Sequence, residues 1–113
     1  MRKFIYVSLI VSNSLFAMNY DNAITTFKKS CKSCHGTPYY GAQMLDEDQW
    51  EEFFEKGDDK LLSVHQKDKK ALKKITASYY KNRREDLIEF LVNNAKDSGA
   101  VPPCTSNTCG IHR

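Results

Sequence analysis

A chain of 113 residues with a formal net charge of +3 is a single small domain, near the size at which an apolar core alone supplies only a few kcal/mol of stability. Its 17 basic and 14 acidic residues give no net-charge signature of nucleic-acid or membrane binding, and no internal repeat or low-complexity tract is visible. A core this limited calls for a further source of cohesion.

Arg2 and Lys3 precede a short apolar run, Phe4 to Val11, followed by Ser12, Asn13 and Ser14, the layout of a secretory signal peptide. The run falls well short of the roughly 20 residues that span a bilayer. Cleavage is expected after Ala17, give or take a few residues, which takes the formal charge from +3 to +1. No cysteine follows that point for lipid attachment. The expectation is a soluble exported protein, periplasmic in a Gram-negative cell, with residues 18 to 98 as the folded domain and 99 to 113 as an irregular tail.

From Tyr20 onward the apolar spacing is helical, with no convincing strand alternation. A first helix is expected to start near Asp21 or Asn22, carry Ala23, Ile24, Phe27 and Cys31 on one face, and end near Gly36. A second runs from about Asp46 to Lys56, acidic in its first turn, with Trp50, Phe53 and Phe54 as its stripe and Gly57 as its stop. Between Lys60 and Tyr79, Leu61, Leu62 and His65 share one face and Ala71, Leu72, Ile75 and Tyr79 another, with a break near Lys67. The last helix spans about Arg84 to Ala95, burying Leu87, Ile88, Phe90, Leu91 and Val92, before Gly99, Pro102 and Pro103 end regular structure. The fold class is all-α, a bundle of about four helices.

Cys31-Lys32-Ser33-Cys34-His35 has the spacing of a c-type haem attachment site, in which two thiols form thioethers with the haem vinyl groups. On one helical turn, positions three and four apart share a face, so both sulfurs and the imidazole can meet one haem edge and its iron. His35 is then the proximal ligand, its other ring nitrogen free to donate to a carbonyl that fixes the ring. A bland reading makes Cys31 and Cys34 a buried thiol pair or a disulfide. Covalent haem c would also supply the missing core, since its apolar faces bury side chains from several short helices.

On these residues the chain resembles the small mono-haem cytochrome c family, over roughly Asp21 to Ala95. The resemblance implies a motif-bearing helix crossing a C-terminal helix, with Phe27, four positions before the first cysteine, meeting Phe90, and the small Ala23 allowing close approach. It also implies electron transfer, the iron cycling between Fe(III) and Fe(II), with redox proteins as donor and acceptor. One departure is clear: where the family carries its distal methionine, this chain reads Ala77-Ser78-Tyr79-Tyr80-Lys81-Asn82, without a sulfur ligand. The remaining candidates for that position are Met44, His65 and His112. His65 is preferred, because 30 residues from His35 are enough chain to reach the other haem face, and Leu61 and Leu62 would turn that face inward. Met44 is second, and a water-filled or empty site stays open. Two imidazoles would leave the potential lower than a methionine partner would.

Residues 46 to 59 hold eight acids against Lys56, and residues 60 to 84 hold nine bases against Asp68. Lys67, Lys69, Lys70, Lys73 and Lys74 read as a solvated helix face, or as a patch steering an acidic redox partner. No nucleic-acid motif and no site for a small-molecule substrate is evident, and a membrane would be met only through a respiratory complex. No other polar constellation has the spacing of a catalytic motif, so the expectation is a carrier, not an enzyme, unless the distal iron site is open. Cys104 and Cys109 in the tail are expected to form a disulfide, the sharper alternative being a metal site that adds His112. A haem-free protein using Cys31 and Cys34 for thiol-disulfide exchange, or all four cysteines for zinc, is the competing reading. It lacks the βαβ setting usual for thiol exchange.

The presequence reading predicts that protein recovered from an exporting host has lost residues 1 to about 17. Intact mass spectrometry checks it, and a soluble product retaining Met1 would contradict it.

Overall fold

The computed structural model describes residues 18–100; the expected signal segment, Cys104, Cys109 and His112 lie outside the described residues. Within them the chain is all-α, with α1 (Tyr20–Ser30), α2 (Lys32–His35), α3 (Pro38–Ala42), α4 (Glu47–Phe53), α5 (Asp59–Val64), α6 (Lys69–Ile75), α7 (Ser78–Lys81) and α8 (Arg84–Asn93). Eight segments replace the expected four or so because short turns of helix fill the connections. Among the described residues, no helix is long and apolar enough to cross a membrane.

The α1–α8 pair is the most extensive helix contact. Asn19, not Asp21 or Asn22, caps α1, its side chain accepting from the Asn22 N–H. The Asp86 carboxylate in the first turn of α8 then accepts from the Asn19 N–H at 3.0 Å and from Asn22 Nδ2 at 3.3 Å, tying the starts of the two helices together. Ala23 and Phe90 are wholly buried at this crossing, where a small residue lets backbones approach. The ring of Phe90 meets Tyr20 and Tyr39 edge-on, with centroids 5.8 and 5.3 Å apart, a favourable aromatic geometry. Phe27 lies against Gly41 of α3 and shares the buried core with Phe90, while Tyr20, expected just ahead of the helix, makes the edge-on aromatic contact with α8.

The first helix stops sooner than its apolar face suggests. Cys31 leaves helical geometry at φ −128°, and its carbonyl restarts the chain as α2, accepting from His35 N–H at 3.0 Å. Beyond Phe27 only Cys31 continues the apolar stripe among Lys28, Lys29, Ser30, Lys32 and Ser33, so little packing holds a straight helix there. Gly36, at φ +79°, turns the chain directly after His35, a conformation that costs glycine least.

Thr37 caps α3 and Pro38 opens it, the position where a missing N–H costs nothing. The start of α4 is fixed twice: Gln49 accepts from the Asp46 N–H at 2.9 Å, and Asp97 accepts from the Glu47 N–H at 2.8 Å. The Lys96 N–H donates to the Leu45 carbonyl at 3.2 Å, so the segment after α8 folds back over α4. The expected break near Lys67 falls between α5 and α6, where the Asp68 side chain caps α6. The last helix buries Leu87, Phe90 and Leu91, with Ile88 and Val92 half-buried.

A Cβ at Gly41 would collide with the Phe27 ring. Gly41→Ala is therefore expected to lower stability by about 1–3 kcal/mol, read as a lower urea midpoint at unchanged slope; an unaltered midpoint would contradict the packing described.

Candidate functional site

Among the described residues a cavity of about 470 Å³ opens between α2, α4, α5, α6 and α8, within the size range of small-molecule and cofactor sites. Cys31, Cys34 and His35 reach it from α2 and its flank; Trp50, Phe53 and Phe54 from α4 and its C-terminal end; Leu61, Val64 and His65 from α5 and its C-terminal end; Ile75 from α6; Leu87 and Leu91 from α8. Most of the wall is aromatic or aliphatic. Lys70 and Lys74 line it from α6, and the Lys74 ammonium donates to Ser33 Oγ at 3.2 Å, between the two cysteines.

His65 stands opposite His35. Their ring centroids are 6.1 Å apart with planes at 84°. An imidazole nitrogen sits about 2 Å from a bound transition metal, and its ring centre roughly 1 Å further back, so two imidazoles on opposite sides of one ion have centres about 6 Å apart. His65 Nδ1 is 2.7 Å from the Leu61 carbonyl, an acceptor only, so Nδ1–H donates to it and Nε2 is the nitrogen left for a metal. Such an outer bond orients a metal-ligating histidine. Burial, and secondarily the neighbouring His65, holds the His35 pKa below its ordinary value, which favours the neutral form that binds metal.

Cys31 and Cys34 are free thiols. Burial pushes the Cys31 thiol up to about 11, against a smaller downward pull from Lys74; Cys34 is exposed. Met44 also borders the cavity but is 41% exposed, on the segment after α3. Among the described residues no three His, Cys, Asp or Glu side chains come together as a bare metal would need. The donor set instead suits a planar apolar group with its metal at the centre: two thiols on one wall, two imidazoles facing, and aromatic sides. Haem has that chemistry.

The spacing of the cysteine motif points to one wall of this cavity, and His65 to the other. Tyr80 was not singled out, yet it is 1% exposed and lines the cavity, from the segment where the resemblance would put a methionine. Its hydroxyl donates to Asp58 Oδ1 at 3.2 Å, and Arg84 Nε donates to the same oxygen at 3.0 Å. Burial, with Asp58 adding to it, raises the Tyr80 pKa well above its ordinary value, so the phenol stays a donor. No local pattern could have flagged a triad whose members are 22 and 26 residues from Asp58. Trp50 was legible as apolar stripe, but its bond from Nε1 to the Ala42 carbonyl, at 2.8 Å, was not.

Comparison with known proteins finds no matching family model, curated protein or solved structure.

The two thiols should differ in reactivity. With a pKa of about 11, only about one Cys31 in a thousand is thiolate at pH 8. A short iodoacetamide pulse on the chain with both thiols free should label Cys34 well before Cys31 by peptide mass mapping, and the lag should shrink as pH rises; equal labelling would refute it.

Proposed function

We propose that this chain is an exported mono-haem c-type cytochrome that carries electrons, in which Cys31 and Cys34 would hold the haem and His35 and His65 would ligate its iron. The observation that carries this reading is the facing imidazole pair, which shares one apolar cavity with both cysteines of the attachment motif. When bound, haem supplies a one-electron Fe(III)/Fe(II) couple.

The chain's own residues set the conditions for that couple. Cys31 and Cys34 would anchor the group through thioethers, so that ligand exchange cannot release it. The Leu61 carbonyl holds the His65 ring by its Nδ1–H and increases the basicity of Nε2. A pair of imidazoles would lower the potential relative to a methionine partner, while the apolar wall from Trp50, Phe53, Leu87 and Leu91 would limit water and disfavour the more highly charged ferric form. The two effects oppose each other. Lys70 and Lys74 put positive charge beside the cysteine wall, suited to an acidic redox protein whose encounter they would speed. The leading segment, residues 1 to 17, would direct export, to the periplasm in a Gram-negative cell.

The thiol-exchange alternative fits the site less well. An exchanging pair needs a nucleophile with a depressed pKa and access; burial drives Cys31 the other way, which leaves only the exposed Cys34, and the βαβ setting usual for exchange is missing among the described residues.

Expression with cytochrome c maturation machinery should give a red protein whose mass exceeds the polypeptide by one covalent haem, and whose oxidised spectrum is low-spin without the near-infrared band of methionine ligation. His65→Ala should convert it to high spin, and Met44→Ala should leave it unchanged. A colourless product would sink the haem reading; the reverse pattern in the two variants would transfer the distal role to Met44.

A further inference from the structure

His65 is carried on the least embedded helix of the described fold. α5 has no fully buried residue and no extensive contact with another helix; it offers the core only the half-buried Leu61 and Leu62. Its exposed ion pair, Lys60 with Glu52 at 3.5 Å, contributes little in water. Before it stands Gly57 at φ +67°, with open space where a side chain would be, so no packed side chain fixes the chain at that turn. What fixes the start of the helix is Asp58. Its Oδ1 accepts from Tyr80 and from Arg84 Nε, and Arg84 Nη2 lies 2.9 Å away as an ion pair without a hydrogen-bonding angle. Asp58 and Arg84 side chains are each 20% exposed, which shields the pair from the screening that weakens surface bridges.

The segment from Asp58 to His65 is thus an arm fastened at one end to α7 and α8 through one carboxylate oxygen. Its other end is the imidazole facing His35. Rotation about the first end would move the second, and besides the Asp58 tie the arm is held by Leu61 and Leu62 against the core and by the Lys60–Glu52 pair. Resting on the reading that His65 ligates haem iron, we infer that Asp58, held by Tyr80 and Arg84, is a positioning residue that keeps His65 on the iron, and that loosening it opens the distal face to small exogenous ligands. Tyr80 joins the two ends of this device, since its ring is cavity wall while its hydroxyl holds Asp58.

Carbon monoxide is the probe, added to the full-chain ferrous holoprotein in stopped flow, because it binds only where His65 has left. Asp58→Asn, which makes the carboxylate side of the charge-assisted tie neutral, and Tyr80→Phe, which removes one of its donors, should each speed CO association about tenfold or more. His65→Ala should be fastest, and adding Asp58→Asn to it should change nothing further, because the arm then holds no ligand. Should Asp58→Asn not fold, Tyr80→Phe carries the test alone, since it keeps the ring in the wall. If His65→Ala opens the site but both latch variants bind CO at the wild-type rate, the positioning role is refuted and His65 ligation stands. If His65→Ala itself leaves spectrum and CO binding unchanged, distal ligation by His65 fails and this inference falls with it.

Discussion

The helices of this fold are too short to stand alone. The longest described ones, α1 and α8, have 11 and 10 residues, and isolated helices below about 12 to 15 residues are marginal in water. Each must therefore borrow stability from burying a face against its neighbours. In this chain the faces converge twice: once where α1 crosses α8 around Ala23 and Phe90, and once around the cavity. The first convergence is self-contained. In the second, Trp50, Leu61, His65, Ile75 and Leu91 point toward a shared space from four different helices, so what fills that space also decides how firmly those helices pack.

That dependence gives the cavity walls unequal standing. The wall bearing α2 rests on α1 and on the Gly36 turn, close to the rigid crossing. The wall bearing α5 rests on a carboxylate, two leucines and a glycine turn. A firmly held α2 side and a lightly held α5 side are therefore features of packing, independent of any particular ligand. The charge pattern follows the same division, since α6 brings Lys70 and Lys74 to the rim beside α2, while the acids of α4 face outward behind its aromatic stripe.

What could be read from sequence was what is local. The cysteine motif depends on spacing within one turn, and α4 and α8 show themselves by periodic apolar residues with acids in the first turn. Helices α3 and α7 could not be seen that way. Pro38-Tyr39-Tyr40-Gly41-Ala42 carries two residues that usually end helices, and only the Thr37 cap ahead of Pro38 hints otherwise; Ser78 to Lys81 is a single turn with no period to detect. The break at Cys31 was hidden because the apolar face continues through it by one residue. The nearness of His65 to His35 could be expected from the length of chain between them and from Leu61 and Leu62 one turn before His65, whereas the Asp58, Tyr80 and Arg84 contact joins residues whose proximity exists only in three dimensions.

The closure of α1 against α8, and of residues 96 and 97 against the start of α4, also has a bearing on when the fold can form. A polypeptide is made from its N-terminus, so the segment with Cys31, Cys34 and His35 emerges long before Asp86, Phe90 or Asp97. Until those arrive, α1 has no partner for its buried face and α4 lacks half of its cap. The cysteine segment thus passes through an interval in which it is synthesised but not enclosed. Chemistry at its thiols would meet its least obstructed access then, and the late-arriving helix would act as the closing step.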